Sequence, residues 1–247
     1  MIRYTLLFFL LLTAPAAWAQ QQQQEEDAYK REFNYGINFN TNAGLIGGGM
    51  LKSSRYLSEN WSKFLALEVV EVKHPKENRL FSVTGSSFIA GKSNYLYVMR
   101  PQYGREYIFF RKAPESGVQV NGIFAVGPSF GLLVPYYIVY DYAVSGGPNN
   151  DRDLRTEPYD PDKHKSFEKI HGNAGFFTGF GHMDVNLGAH LKTGLSFEYG
   201  RYREDVTGVE VGFLMEAYPK ELLIISGARN TGFFTSAYLT LYYGRRK

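Results

Sequence analysis

Residues 186–200, NLGAHLKTGLSFEYG, alternate apolar and polar side chains with a period of two residues. Successive side chains of a β-strand point to opposite faces, so this segment has one apolar face and one polar face. The apolar positions are Leu187, Ala189, Leu191, Leu195, Phe197 and Tyr199, and the polar positions between them are Gly188, His190, Lys192, Ser196 and Glu198. A chain built from such strands needs an apolar partner for one face of each strand.

The same alternation recurs along the chain and predicts about eight strands. The candidate segments are residues 33–41, 46–50, 65–69, 95–99, 118–126, 186–200, 205–217 and 233–243. In the segment 205–217, Leu214 is an exception, an apolar residue on the face of Gly208, Glu210, Gly212 and Glu216. Several segments approach the roughly ten residues that a tilted strand needs to cross the hydrocarbon core of a membrane.

Two environments can supply the apolar partner: a second sheet in a secreted β-sandwich, or lipid around a barrel. The polar faces carry mainly Gly, Asn, Ser and Thr with few charges, as a narrow closed interior requires. Tyrosines near the strand ends are typical of an interfacial girdle. We therefore predict an all-β fold, a closed antiparallel up-and-down transmembrane β-barrel of about eight strands, with ten to twelve as the alternative number.

The N-terminal residues indicate the compartment. Arg3, an apolar run over residues 5–12 and the sequence Ala17-Trp18-Ala19 are typical of a secretory signal peptide, predicted at residues 1–19. Residues 20–31 begin with five glutamines and three acids and are predicted to be a disordered leader. Residues 32–247 form the predicted barrel domain, in the outer membrane of a Gram-negative cell. The chain has no cysteine, which excludes disulfides and thiolate metal sites.

Four segments need separate interpretation. Residues 122–140 are uncharged over nineteen positions, but Pro128, Pro135 and three glycines disfavour a membrane helix, so we predict a long strand kinked at Gly127-Pro128. Residues 74–92 and 145–169 are predicted external loops. Residues 103–112 lack alternation and predict a short helix or turn at the interface. Residues 171–182 predict a partly helical cap.

Several sequence phrases carry a resemblance to a known family. They are KHPKE at residues 73–77, YGREYIFFRK at 103–112, GVQVN at 117–121, FEYG at 197–200 and the closing LYYGRRK. With the signal peptide and the alternating strands, the chain resembles a family of small outer-membrane β-barrel proteins of Bacteroidota with no established activity, over essentially the whole mature chain. The resemblance implies fold and location only. The ending departs from the commonest barrel pattern, because Tyr243 is followed by Gly-Arg-Arg-Lys.

An enzymatic function is the minority interpretation. Lipid A deacylases of similar size carry an H-x-S-N phrase in which Ser is the nucleophile and a carboxylate orients the His. This chain has His171-Gly172-Asn173, so Ser166 or Ser196 would have to replace the missing nucleophile. The five histidines, at positions 74, 164, 171, 182 and 190, show no spacing typical of zinc sites. We predict no enzyme activity, no metal and no cofactor.

A polar cluster in the lumen is the candidate site. It comprises His190, Lys192, Glu198, Glu210 and Glu216. These side chains could line a permeation path, but an eight-stranded barrel is narrow and its internal charges usually pair across strands. The net charge of +3, or +2 once Arg3 leaves with the signal peptide, argues against nucleic acid as a partner.

We therefore expect an anchor that presents external loops, as a subunit of an envelope complex. Its expected partners are outer-membrane lipids, lipopolysaccharide and other envelope proteins. A lipid A deacylase-like enzyme and a narrow porin-like channel remain as alternatives.

Overall fold

The computed structural model describes residues 31–44, 46–82, 84–112, 117–143, 152–175, 177–199 and 205–246. The predicted signal peptide and all but the last residue of the predicted leader lie outside this part of the chain. The strands are β1 (Arg31–Asn40), β2 (Gly48–Tyr56), β3 (Trp61–Val72), β4 (Arg79–Phe81), β5 (Ser87–Ile89), β6 (Asn94–Phe110), β7 (Val118–Pro135), β8 (Tyr137–Asp141), β9 (Leu154–Pro158), β10 (Ile170–Asn173), β11 (Asp184–Tyr199), β12 (Asp205–Leu222) and β13 (Thr231–Arg246). Two 3₁₀ helices span Phe167–Lys169 and Phe180–His182.

Eight of these strands form a closed barrel in the order β1-β13-β12-β11-β7-β6-β3-β2, and every neighbouring pair is antiparallel. The predicted fold class and the number of strands are confirmed. The register partners of Arg31 followed around the ring lead to Ala237 on β13, whose partner is Thr41. The register therefore advances by ten residues (41 − 31) in one circuit, and this stagger tilts the strands.

The alternation of the sequence separates the two sides of the barrel wall. Along β11 the predicted polar residues point inward and the apolar ones point outward, with Leu187 60% exposed. Leu65 on β3 and Phe213 on β12 are 66% and 65% exposed, while Leu214, the exception in the pattern, is buried inside. The apolar faces meet no second sheet in the described residues, so the sandwich alternative is wrong.

Two predictions about local structure need correction. Residues 103–112 do not form a helix or turn, because β6 continues to Phe110 with Gly104, Glu106 and Ile108 pointing inward. Residues 122–140 form strands, as predicted, but not a single one: β7 ends at Pro135 and β8 leaves the barrel. Ladder pairing of β7 with β6 is interrupted between Val126 and Phe130, around the predicted kink. None of the helices in the described residues has the length and apolar character needed to cross a bilayer.

The connections between strands are short at one end of the barrel and long at the other. At one end the connections are short, over residues 57–60, 111–117 and 200–204, and both Arg31 and Arg246 lie there. At the other end residues 73–93 contain the hairpin β4-β5, and residues 136–183 contain the three-stranded sheet β10-β8-β9. The predicted loops at 74–92 and 145–169 thus carry strands. The partly helical cap predicted at 171–182 consists of most of β10 and one 3₁₀ turn.

Candidate functional site

The five sequence-predicted lumen residues all lie inside the barrel. His190, Lys192 and Glu198 point inward from β11, and Glu210 and Glu216 point inward from β12. Each is at most 4% exposed. The structure divides them between two groups of charges at different levels of the lumen.

Four of the predicted residues lie at the middle level, where Lys192, Glu210 and Glu216 belong to a chain of alternating charges. We call it the lumen network, and its members in order are Glu106, Lys52, Glu210, Lys192, Glu68, Arg100 and Glu216. Lys192 Nζ lies 3.0 Å from Glu210 and 3.8 Å from Glu68. His190 lies beside the network, with Nδ1 3.0 Å from the Ser129 hydroxyl.

The two ends of the lumen network have the shortest ion pairs. Arg100 donates two hydrogen bonds to Glu216, at 2.9 and 2.8 Å, in the bidentate geometry that suits guanidinium and carboxylate groups. At the other end Lys52 Nζ lies 2.5 Å from Glu106. Every cation of the network contacts two carboxylates, which offsets the cost of removing its charge from water.

Glu198 belongs to a second group at the end with short turns. Arg246 donates to Glu198 at 2.5 Å and to Glu32 at 2.8 Å, and Lys112 donates to Glu198 at 2.8 Å. β13 continues past Tyr243 and places Arg246 between these two buried carboxylates.

Sequence reasoning missed four members of the lumen network: Lys52, Glu68, Arg100 and Glu106. Glu68 lies between Leu67 and Val69 in the candidate strand 65–69, and this alternation predicts that its side chain points into the lumen. Glu106 lies in the segment 103–112, for which the sequence predicts a helix or turn, and Arg100 directly follows the candidate strand 95–99.

The opposite end of the lumen is apolar. A cluster of buried side chains fills it, formed by Val70, Val72, Leu96, Val98, Leu133, Tyr218, Leu222, Ile224 and Ile225. Residues 223–225 fold across the mouth, where Ser93 and Asn94 donate backbone hydrogen bonds to the Ile224 carbonyl. The cavity near Glu32, Lys52 and Arg246, at the other end, measures about 10 Å³, close to the volume one water molecule requires.

The hairpin β4-β5 and the sheet β10-β8-β9 together form a substructure over the apolar end, which we call the cap and which has its own small core. Phe88, Tyr136, Ile138, Tyr140 and Ile170 are buried together, joining β5, β8 and β10. The Tyr136 hydroxyl accepts a hydrogen bond from the Ile89 backbone at 3.0 Å. The cap is therefore a folded substructure and not a set of independent loops.

Polar contacts in the cap centre on His164, which is 1% exposed. Its Nε2 lies 3.1 Å from Glu157, and the Tyr142 hydroxyl donates to the same carboxylate oxygen at 2.5 Å. The hydrogen bond from Tyr142 is the largest cause lowering the pKa of Glu157, and the same bond raises the pKa of Tyr142 to about 12.

The residues considered for catalysis are dispersed. His171 Nε2 lies 3.5 Å from Asp141, so a carboxylate does adjoin this histidine. Ser196 is buried in the lumen and its hydroxyl lies 2.6 Å from the Tyr242 hydroxyl, whereas Ser166 is an exposed residue at the start of the first 3₁₀ helix. Within the described residues, no group of three or more His, Asp or Glu side chains is arranged as a metal site.

Comparison with known proteins gives likenesses of fold only. The sequence matches no protein-family model. No curated protein is similar in sequence. Among solved structures, Ail, the attachment invasion locus protein of Yersinia pestis, is 8% identical with a TM-score of 0.38, covering 88% of this chain and 97% of Ail. Neisserial surface protein A is 7% identical with a TM-score of 0.41, covering 89% and 97%. Outer Membrane Protein W of E. coli is 9% identical with a TM-score of 0.33, covering 89% and 98%.

Proposed function

We propose that this protein is an integral outer-membrane β-barrel that anchors a folded external cap and presents it to other envelope components, without chemistry of its own. The observation that carries the proposal is the combination of a closed barrel with an apolar outer wall, a packed lumen and a cap at one end. We also propose membership of the Bacteroidota family that the sequence resembles, supported by the quoted sequence phrases.

The outer wall supports membrane insertion. From the short-turn end, the outward register pairs of β3 and β6 run Trp61–Tyr107, Lys63–Arg105, Leu65–Tyr103, Leu67–Pro101 and Val69–Met99. The rings of Trp61 and Tyr107 lie 4.9 Å apart. Aromatic side chains at this level and aliphatic ones beyond it are typical of a barrel crossing a bilayer.

The connections support one orientation. Outer-membrane barrels have short periplasmic turns and longer extracellular loops. The ends of β1 and β13 at Arg31 and Arg246 therefore face the periplasm together with the short turns, and the cap faces the outside.

Two observations favour an anchor over the alternatives. A channel needs an open lumen, whereas this lumen contains paired charges, an apolar cluster and a cavity of about 10 Å³. A deacylase needs a nucleophile beside its histidine, whereas Asn173 stands at the motif position and Ser196 is buried inside the barrel.

The absence of cysteine from the sequence allows a direct test of insertion and orientation. We would place one cysteine in the cap (Lys165→Cys) and its matched control in a short turn (Ser58→Cys), both at exposed positions. Whole cells are treated with a membrane-impermeant maleimide, and the outer-membrane fraction is run on gels with and without boiling. We expect faster migration without boiling, labelling of the cap in intact cells, and labelling of the turn only after the outer membrane is permeabilised.

The interaction role is tested with photo-crosslinking side chains at the same two positions in living cells. Crosslinks to envelope components from position 165 support presentation of the cap. A barrel that inserts as expected, yet gives no crosslink from the cap, would overturn the interaction role and leave the anchor without a presented surface.

A further inference from the structure

Four basic side chains form a row across the outside of four neighbouring strands. Arg31 on β1 is the register partner of Arg55 on β2, Arg55 is the partner of Lys63 on β3, and Lys63 is the partner of Arg105 on β6. We call these four residues the basic row. Arg31, Arg55 and Arg105 are exposed, Lys63 is half-buried, and all four lie on the outward face of the alternation.

The basic row lacks the compensation found inside the barrel. Like charges directly opposite on neighbouring strands repel each other. Within the described residues, no carboxylate forms an ion pair with any member of the row, although the same strands carry Glu32, Glu68 and Glu106 on their inner face. An anion that binds between these side chains would reduce their mutual repulsion.

The position of the row indicates where that anion comes from. The pair Lys63–Arg105 lies one outward step from Trp61–Tyr107 on the turn side and one step from Leu65–Tyr103 on the apolar side. This is the level at which long basic side chains extend along apolar surface and place their charges among lipid headgroups. Given the orientation under "Proposed function", on which this inference rests, these are headgroups of the periplasmic leaflet.

Two shallow grooves in the outer wall lie near the row, the first on its membrane side and the second reaching past Arg105 to Trp61 and Tyr107 on the turn side. One, of about 510 Å³, is lined by Phe33, Leu51, Leu65, Leu67, Tyr103 and Val126. The other, of about 620 Å³, is lined by Trp61, Tyr103, Arg105, Tyr107, Phe124 and Leu195. Tyr103 borders both grooves and stands next to Arg105 along the outward face of β6. Gly122 and the Phe109 ring that lies over it both line the second groove.

We propose that the basic row and these grooves form a binding site for one anionic diacyl phospholipid of the periplasmic leaflet. Arg55, Lys63 and Arg105 bind the phosphate and any further anionic group of the head, and the two acyl chains lie on either side of Tyr103. Guanidinium groups suit this role because their planar donors match phosphate oxygens.

The sequence supplies a reporter at the site. It contains two tryptophans, Trp18 and Trp61, and Trp61 lies next to Lys63 on the outward face of β3. The variant Trp18→Phe leaves Trp61 as the single tryptophan whether or not the N-terminal residues are removed. This protein is reconstituted in phosphatidylcholine vesicles containing brominated phosphatidylglycerol or brominated phosphatidylcholine, and quenching of Trp61 fluorescence gives the relative affinity for the two lipids.

We expect the anionic lipid to be preferred about threefold to tenfold over the zwitterionic one. The triple variant Arg55→Gln, Lys63→Gln, Arg105→Gln should reduce this preference to about onefold. The matched control is Lys76→Gln, Arg79→Gln, Lys165→Gln, which removes the same charge from exposed positions at the cap end and should keep the preference.

The outcomes separate the inference from the proposed function. If both brominated lipids quench Trp61 equally, the lipid-facing wall stands and the phospholipid site is overturned. If neither lipid quenches, the outer wall does not meet lipid and the proposed function fails with it. If inorganic phosphate abolishes the preference while chloride at equal ionic strength does not, the row binds a free phosphate ion and the lipid assignment is overturned. Loss of the preference in the cap-end control would attribute it to net charge and likewise overturn the site.

Discussion

The lumen network and the basic row lie on the same strands, but within the described part of the chain only the charges of the lumen network are paired with opposite charges of the protein. On β6, Arg100 points inward to two carboxylates, and Arg105, five residues later, points outward beside Lys63 with no carboxylate partner among the described residues. On β2, Lys52 points inward between Glu106 and Glu210, and Arg55 points outward beside Arg31 and Lys63.

The difference reflects what each face can obtain from its surroundings. A closed and packed lumen offers buried charges little besides one another, so carboxylates and cations alternate. The outer face meets water, ions and lipid headgroups, so a row of like charges can be balanced by groups that the chain does not encode. The following substitutions test this distinction.

The largest difference in the free energy of unfolding is expected between Arg100→Met and Arg105→Met. Removing Arg100 leaves Glu216 without its cation in the lumen and Glu68 with Lys192 alone, which should lower the free energy of unfolding by about 3–5 kcal/mol. The same change at Arg105 removes an exposed cation and should change it by less than about 1 kcal/mol. Urea titration of both variants in identical detergent micelles measures the two values. Equal losses would show that the inner and outer cations are equivalent.

The packing of the two faces can be compared by replacing an inward and an outward glycine with alanine. A Cβ added at Gly104 would lie 2.7 Å from the Phe124 carbonyl oxygen and would also meet the Phe64 ring inside the lumen, so Gly104→Ala should cost about 1–3 kcal/mol. At Gly49, which is exposed on β2, the nearest atom is the Gly36 carbonyl oxygen at 3.9 Å. Gly49→Ala should be neutral or stabilise by up to about 1 kcal/mol. Thermal unfolding followed by heat-modifiable migration compares the two, and a harmless Gly104→Ala would contradict the tight lumen packing.

The cap should respond to acid where the barrel does not. The hydrogen bonds of Glu157 to Tyr142 and His164 lower its pKa below the ordinary 4.5, so its contribution to stability is complete above pH 4.5. That contribution is lost as the pH falls through the lowered pKa. Amide hydrogen exchange of β9, corrected for intrinsic rates, should therefore accelerate below about pH 4.5 while β12 stays protected. Glu157→Gln should remove this pH dependence, and an unchanged profile in that variant would assign it to another group.

The smallest effect is expected for Lys63→Gln. Lys63 stands between Arg55 and Arg105, so its removal in a zwitterionic detergent should relieve repulsion and stabilise the barrel by about 0.2–1 kcal/mol. Lys220, 3.6 Å from Asp184, is the control because its removal relieves no such repulsion. Unfolding in urea with anionic phospholipid added should abolish the gain at Lys63, and a gain of equal size at Lys220 would refute the role of the row.

Period-two alternation was sufficient to predict the barrel, its eight strands and the inward positions of His190, Lys192 and Glu216, because each depends on neighbours along one strand. The same reasoning failed over residues 103–112, where Arg105 occupies an outward position that the pattern reserves for apolar side chains. Because Arg105 interrupts the apolar positions, the second half of β6 could not be recognised as a strand from the sequence. The partners of Glu216 and Glu210, such as Arg100 and Lys52, depend on the register between strands distant in the sequence, and no local pattern encodes that register. The cap strands β8, β9 and β10 have only four or five residues, too few for their alternation to be recognised in the sequence.

The register that joins β1 to β13 also constrains how the protein is made. The first strand finds one of its two partners only when the last strand is available, and the pair Glu32–Arg246 joins residues 214 positions apart. Until then β1 and β13 are open edges that can add strands from other chains, and closing so long a loop is slow. Both edges therefore stay open until the sixteen-residue strand β13 pairs with β1 and closes the ring.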